Sequence, residues 1–374
     1  MLKRVNTLAR ASIALGSIAA LTFGAVGCAS PSNSGAGDSG LPSTKLQIAI
    51  FNSPQTPYGE AVQWFIDEAA ARSDGAIAIR PYWDGALLAG PDVLTGLSEG
   101  RADLGFSSQL YSPAELPLSQ VTTVPFQTRD VVGVQNAFKE LYETNTDYQA
   151  EWSRHNVTPL SVQGVAPMLL AGAEVPSGVD WLKGRQIRAS GYAANAIQKA
   201  GGNAVALVVS DIYEAAQRGM IDGVASQNLG TVPSLSLQEL MPHLADPGTG
   251  VYTGTYLAAN SAKWKSLDPG VREVLETLSA EFNDRYLDAV KSYDGKACDA
   301  FLKAGGSVTI WDESETEKWS SLVGDELLNE WKASAARTGA DAGAFYDQYK
   351  QLLSKKHESD YVDGMTACAE RSGK

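Results

Sequence analysis

One run of the chain, residues 268–304, limits the fold more than any other. Val271, Val274, Leu275, Leu278, Phe282, Leu287 and Val290 keep a helical spacing along it, and only Gly295 interrupts the pattern. A continuous helix of that length measures about 55 Å, longer than one compact α/β unit, so it is expected to run along two. The segments before it alternate in type. Residues 45–51, 76–82 and 102–107 read as strands. Residues 57–72 and 91–99 read as helices between them, the first capped by Thr56 and started by Pro57. The order β-α-β-α-β predicts a mainly parallel sheet with helices on its faces. A second such unit is expected from strands at 157–162, 185–189, 203–208 and 221–225 and helices at 192–200 and 210–218. The predicted fold class is therefore α/β, in two units with one long helix running along both. The expected division is 44–163 with 251–292 as one lobe, and 164–250 with 293–374 as the other.

The chain before residue 44 reads differently. Lys3, Arg4 and Arg10 form a basic region, and residues 11–27 carry no charge. That is the pattern of a secretory leader, too short for a membrane span of about 20 apolar residues. It stops at Ala25-Val26-Gly27-Cys28, which resembles the lipobox of bacterial lipoproteins with Ala25 where leucine is usual. The resemblance implies a signal peptide at 1–27 and a lipid on Cys28. An ordinary signal peptide cut near Ala29 is the competing reading. Residues 29–43 are mostly Gly, Ser, Pro, Asn and Asp, so 28–43 is expected to be a flexible, lipid-anchored linker. It contains a literal G-x-G-x-x-G at 35–40, which neither follows a strand nor opens a helix and so is no dinucleotide site.

Chemistry is sparse. The three histidines, His155, His243 and His357, are isolated, and no H-E-x-x-H, G-x-S-x-G, phosphate-binding or calcium-binding loop occurs. No catalytic residue, cofactor or metal ligand set is expected. A net charge of -13 without a basic block argues against nucleic acid. Besides Cys28 the chain holds Cys298 and Cys368. In an exported protein these form either one disulfide or two buried thiols, and the sequence leaves both open.

Several segments in order carry a family resemblance: Ala102-Asp-Leu-Gly-Phe-Ser-Ser108, Trp181-Leu-Lys-Gly-Arg-Gln-Ile-Arg188-Ala-Ser-Gly191, Ser210-Asp-Ile-Tyr-Glu-Ala-Ala-Gln-Arg-Gly-Met-Ile-Asp-Gly-Val224, and Trp264-Lys-Ser-Leu-Asp-Pro269. Together they resemble the extracytoplasmic solute receptors of tripartite ATP-independent periplasmic (TRAP) transporters, over roughly residues 46–350. The resemblance implies a two-lobed, periplasmic-binding-protein-like α/β fold with a long hinge-spanning helix, its lobes closing on a small organic solute, two membrane subunits as partners, and no enzymatic activity. It also implies a carboxylate held by Arg188, whose planar two-donor fork suits that group. This chain departs from the family pattern in three places. Residues 164–170 lack the second arginine common in the family. The pair Asp222-Gly223 is followed by Val224-Ala225-Ser226-Gln227-Asn228, which shifts the polar contact to Ser226 or Asn228. Ser108 stands where a family acid is expected. Gln55 and Tyr192 complete the expected ligand set, and Tyr58, Tyr111 and Tyr252 are further candidates for a cleft lining. A receptor for a solute without a carboxylate, and a secreted hydrolase on a two-lobed scaffold, are the competing readings.

Overall fold

The computed structural model describes residues 40–355 and 361–372. The expected leader, Cys28 and nearly all of the tether lie outside them. Among the described residues eleven strands form, in chain order β1 (Thr44–Ile50), β2 (Ile77–Tyr82), β3 (Leu104–Ser108), β4 (Val157–Gly164), β5 (Leu170–Gly172), β6 (Gln186–Arg188), β7 (Asn203–Val205), β8 (Gly223–Val224), β9 (His243–Asp246), β10 (Gly254–Asn260) and β11 (Ser307–Ile310). They make two sheets, ordered β2-β1-β3-β10-β4 and β11-β9-β5-β8-β6-β7. In the first, β1 lies parallel to β2 and β3, and β10 lies antiparallel to β3 and β4. In the second, β5 lies antiparallel to β8 and β9, and the other pairs are parallel. Both antiparallel strands enter just after the chain crosses between sheets. The crossings, 165–169 and 247–253, bond to each other: Val165 N–H donates to Thr253 O at 3.1 Å and Met168 N–H to Gly250 O at 2.9 Å.

The helix Pro57–Arg72 forms as its sequence dictates. Thr56 Oγ1 accepts from the Gly59 N–H at 3.0 Å, Pro57 fills the first turn, and Ala61, Val62, Phe65, Ile66 and Ala69 are buried along one face. The long helix spans Pro269–Lys303, passes unbroken through Gly295, and is capped by Asp268, which accepts from the Gly270 N–H. Its 35 residues measure about 52 Å. Val271, Leu275, Leu278, Phe282 and Val290 join the core that holds the first sheet. Ala297, Cys298 and Phe301 join a second core with Leu169, Val224, Leu244 and Val308. One helix thus supplies apolar side chains to both cores, each full burial worth about 1.5–3 kcal/mol for a large side chain. A disulfide between Cys298 and Cys368 fastens the C-terminal helix Gly364–Arg371 to it, resolving the choice the sequence left open.

The helices after β11 do not stay together. Trp319, in the helix Glu313–Val323, donates from Nε1 to Ala196 O at 3.0 Å, beside the second sheet. The next two helices, Glu326–Ala336 and Ala342–Leu353, return to the first. Trp331 Nε1 donates to Pro117 O at 2.9 Å, and the rings of Phe345 and Tyr349 pack on Tyr148 and Phe138. Residues 326–353 therefore pack against elements of the first unit, while Glu326 and Glu330 also reach Lys199 and Asn195 beside the second sheet. The aromatic faces of Tyr148, Phe138 and Trp331 need mutual cover, and that need outweighs chain proximity.

Candidate functional site

A cavity of about 630 Å³ opens where both sheets present the carboxyl ends of their parallel strands. Phe51 and Asn52 follow β1, Asp84 follows β2, Ser108 ends β3, Arg188 ends β6, and Ser226 follows β8; all line the cavity. Loops leaving parallel strands diverge there, which makes room for a ligand. Tyr58, Tyr111, Tyr252 and Thr253 add walls from the helix Pro57–Arg72, the turn after β3 and the second crossing.

Arg188 is 3% exposed and lines the cavity with no carboxylate partner among the described residues. Its guanidinium is held by backbone instead. Nε and Nη2 donate to Leu207 O at 3.2 and 2.9 Å, and Nη1 donates to Ala225 O at 3.3 Å and Ser226 O at 3.1 Å. Burial lowers its pKa from the ordinary value, and the nearby Tyr111 and Tyr252 offset part of that. Arginine stays charged even so. A guanidinium has five N–H donors, one on Nε and two on each terminal nitrogen. Carbonyl oxygens occupy Nε, both donors of Nη1 and one of Nη2, leaving one N–H on Nη2. The expected free two-donor fork is therefore not presented; the cavity receives a desolvated positive charge and a single donor.

Ser226 and Ser108 both reach the cavity wall. Ser226 adopts φ of 55°, and its Oγ accepts from the Ser190 N–H at 3.1 Å. Ser108 Oγ accepts from the Leu110 N–H and lies 3.2 Å from Thr253 Oγ1, tying the end of β3 to the start of its neighbour β10. Asn228 stands behind the wall. Its Nδ2 donates to Tyr58 Oη at 2.9 Å and Tyr252 Oη at 3.5 Å, fixing two aromatic rings that line the cavity. Burial pushes the Tyr252 hydroxyl up to about 12 and that of Tyr58 well above its ordinary range, so both stay neutral donors. Gln55 is exposed, bonds only to its neighbour Ser53, and does not line the cavity. Tyr192 also lies off the cavity, half-buried at the start of the helix Tyr192–Lys199 and near Glu330 and Arg337. Sequence reasoning missed Asn52, Asp84 and Thr253. Asp84-Gly85 was visible as a turn signal after a strand, but nothing local shows that the turn faces the other sheet. Among the described residues no group of His, Cys, Asp and Glu could hold a metal ion, and no helix is long and apolar enough to cross a membrane.

Two sheets, a helix shared between their cores, and one cavity at their carboxyl ends define a two-lobed α/β solute-binding protein. Residues 48–332 match the bacterial extracellular solute-binding proteins, family 7, and the chain belongs to that family of TRAP solute receptors. Curated relatives include a solute-binding protein of Albidiferax ferrireducens, 23% identical and covering 70% of this chain and 78% of that one. Another is a monocarboxylate 2-oxoacid-binding periplasmic protein of Nostoc, 24% identical over 89% of this chain and 90% of that one. Among solved structures, a marine-metagenome TRAP solute-binding protein specific for aromatic acids, bound to 3-hydroxybenzoate, superposes with a TM-score of 0.77. It is 20% identical, with 85% of this chain and all of that one covered.

Proposed function

We propose that this chain captures a small organic solute through one carboxylate and passes it to the membrane subunits of a TRAP transporter, held at the outer face of the membrane by lipid on Cys28. The observation that carries the solute assignment is Arg188, a buried cation with no acid partner among the described residues, facing a cavity otherwise walled by hydroxyls, aromatic rings, aliphatic side chains and the separate carboxylate of Asp84. A charge so placed is costly to bury and becomes favourable when an anion enters. Relatives whose ligands are stated support the same class: one binds 2-oxo monocarboxylates, another aromatic acids. Gln55 and Tyr192 have no part in this contact; Ser108, Ser226 and Asn228 shape the wall. The paired crossings at 165–169 and 247–253 serve as the hinge, with the long helix as a spine beneath it.

Isothermal titration of wild type and Arg188→Ala against a carboxylate panel, with scattering before and after ligand, tests this reading. Binding abolished by the substitution, with a smaller radius of gyration on saturation, is expected. Tight binding of an uncharged solute by both proteins would sink it. The anchor is tested apart from the ligand: Cys28→Ser should release the protein from the membrane fraction, and wild type found wholly soluble would rule the lipid out.

A further inference from the structure

Among the residues lining the cavity only two carry formal charge, and the signs are opposite: Arg188 from the second sheet and Asp84 from the first. No hydrogen bond or ion pair reaches the Asp84 carboxylate from the described residues. Its loop is nonetheless fixed. Asp84 sits at φ of 54°, a conformation that Asp tolerates better than most residues, with its N–H bonded to Asn52 O at 3.2 Å and the next N–H, of Gly85, to Ile50 O at 2.9 Å.

Asn52, on the loop bonded to Asp84, also lines the cavity, and its side chain is held in one orientation. Its Oδ1 is buried and has no hydrogen-bond partner. The amide orientation is set by its neighbours. Thr56 Oγ1 spends its hydrogen on Ser53 O at 2.8 Å and must accept from Asn52 Nδ2, which also donates to Ser53 O at 3.3 Å. Turning the amide over would set an acceptor against acceptors, so Oδ1 is held as an acceptor awaiting a donor. The Asp84 carboxylate, exposed on this wall and unpaired among the described residues, makes the wall complementary to a hydrogen-bond-donating cation. The aromatic pair Phe51 and Tyr111, in edge contact at 5.7 Å, flanks the same wall and favours a cation further.

Resting on the reading that this cleft is the solute site, we infer that its ligand is zwitterionic: a monocarboxylate bearing a cationic nitrogen, with the carboxylate at Arg188 and the nitrogen at Asp84. A dicarboxylate has no second cation here to meet its second charge and brings that charge toward Asp84. A monocarboxylate with an apolar or hydroxyl tail leaves Asp84 uncompensated as the lobes exclude water.

Two skeletons, each in three forms, decide the matter by isothermal titration of the purified protein. Succinate, 4-hydroxybutyrate and 4-aminobutyrate share four carbons; isophthalate, 3-hydroxybenzoate and 3-(aminomethyl)benzoate share a ring. On at least one skeleton the amine is expected to bind roughly tenfold or more tightly than its two counterparts, the scale of a charge-assisted hydrogen bond. Asp84→Asn should weaken the amine about tenfold and strengthen the dicarboxylate. A melting curve beside each titration confirms that the variant is folded. If a dicarboxylate or hydroxy acid binds as tightly as the matched amine, or if Asp84→Asn leaves the amine unchanged, the inference is overturned and the carboxylate assignment stands. If none of the six binds, the inference is overturned, while the carboxylate assignment is decided by the separate Arg188→Ala titration.

Discussion

The Nη1 of Arg188 donates to the carbonyl oxygen of Ser226 at 3.1 Å, and Ser226 reaches that position with a left-handed backbone, φ 55°. The turn aims the carbonyl at the guanidinium, while Ser226 Oγ takes the Ser190 N–H two residues beyond Arg188. Cation and turn therefore depend on each other. The charge proposed to meet a solute is also a structural tie between the ends of β6 and β8.

That dual role changes what truncation should do. Arg188→Ala removes the charge and leaves the carbonyls of Leu207, Ala225 and Ser226 without their donor. Losing one partner of a desolvated ionic contact typically costs about 2–5 kcal/mol, roughly 30-fold to more than 1,000-fold in affinity. Calorimetric titration should show that loss, and a melting curve should show a lowered midpoint as well. Arg188→Lys keeps the charge but reaches fewer carbonyls, so its melting point should fall too. An Arg188→Ala protein that binds within about threefold of wild type removes the assignment.

Ser226 tests the turn directly. Ser226→Val places a β-branched residue at positive φ, costing about 1–2 kcal/mol in backbone strain, and also deletes the Ser190 contact. Ser226→Gly relieves the strain and loses only the hydroxyl. Chemical denaturation should rank stability as wild type, then Gly, then Val, with ligand affinity in the same order. Equal stability of the Val and Gly variants would show that the turn is not what holds Arg188.

The disulfide Cys298–Cys368 closes a loop with a sequence separation of 70. Disulfides closing loops of this order stabilise by about 2–4 kcal/mol. The double variant Cys298→Ala, Cys368→Ala should melt lower than wild type under oxidising conditions. Reductant should lower the wild-type midpoint and leave the variant unmoved. A reductant effect on the variant would place the redox sensitivity elsewhere.

Two buried acids make stability depend on pH. Burial raises the Glu151 carboxyl to about 7, against hydrogen bonds from Ser119 Oγ and the N–H groups of Leu118 and Ser119. Burial, with Asp363 nearby, raises Asp294 to about 7 against the N–H groups of Gly230 and Gly364. A raised acid binds more protons folded than unfolded, so stability falls as pH rises from its ordinary carboxylate value to about 7. The melting point should be higher at pH 5 than at pH 8, with the drop between. Combining Glu151→Gln with Asp294→Asn should flatten that slope. An unchanged slope in the double variant would assign the pH dependence to other groups.

The sequence by itself determined the local elements with strong periodicity. The helix Pro57–Arg72, its Thr56 cap and the long helix beginning after Asp268 were legible because cap, proline and apolar spacing all act within a few residues. The early parallel strands were legible through their β-branched runs. The ordered motifs around Arg188 pointed to the family and to one strand end. Strands β5, β9, β10 and β11 were not legible. The buried β10, Gly-Thr-Tyr-Leu-Ala-Ala-Asn, shows no alternation, because both faces of a central strand are covered. Tertiary structure alone decided which loops meet. It brought Asp84 and Asn52 into the cavity with Arg188, left Gln55 and Tyr192 outside, joined Cys298 to Cys368, and carried residues 326–353 back to the first sheet. It also decided that the Arg188 fork is mostly spent on backbone carbonyls. Those outcomes depend on the register of two sheets and on long-range burial, and no local pattern of residues encodes either.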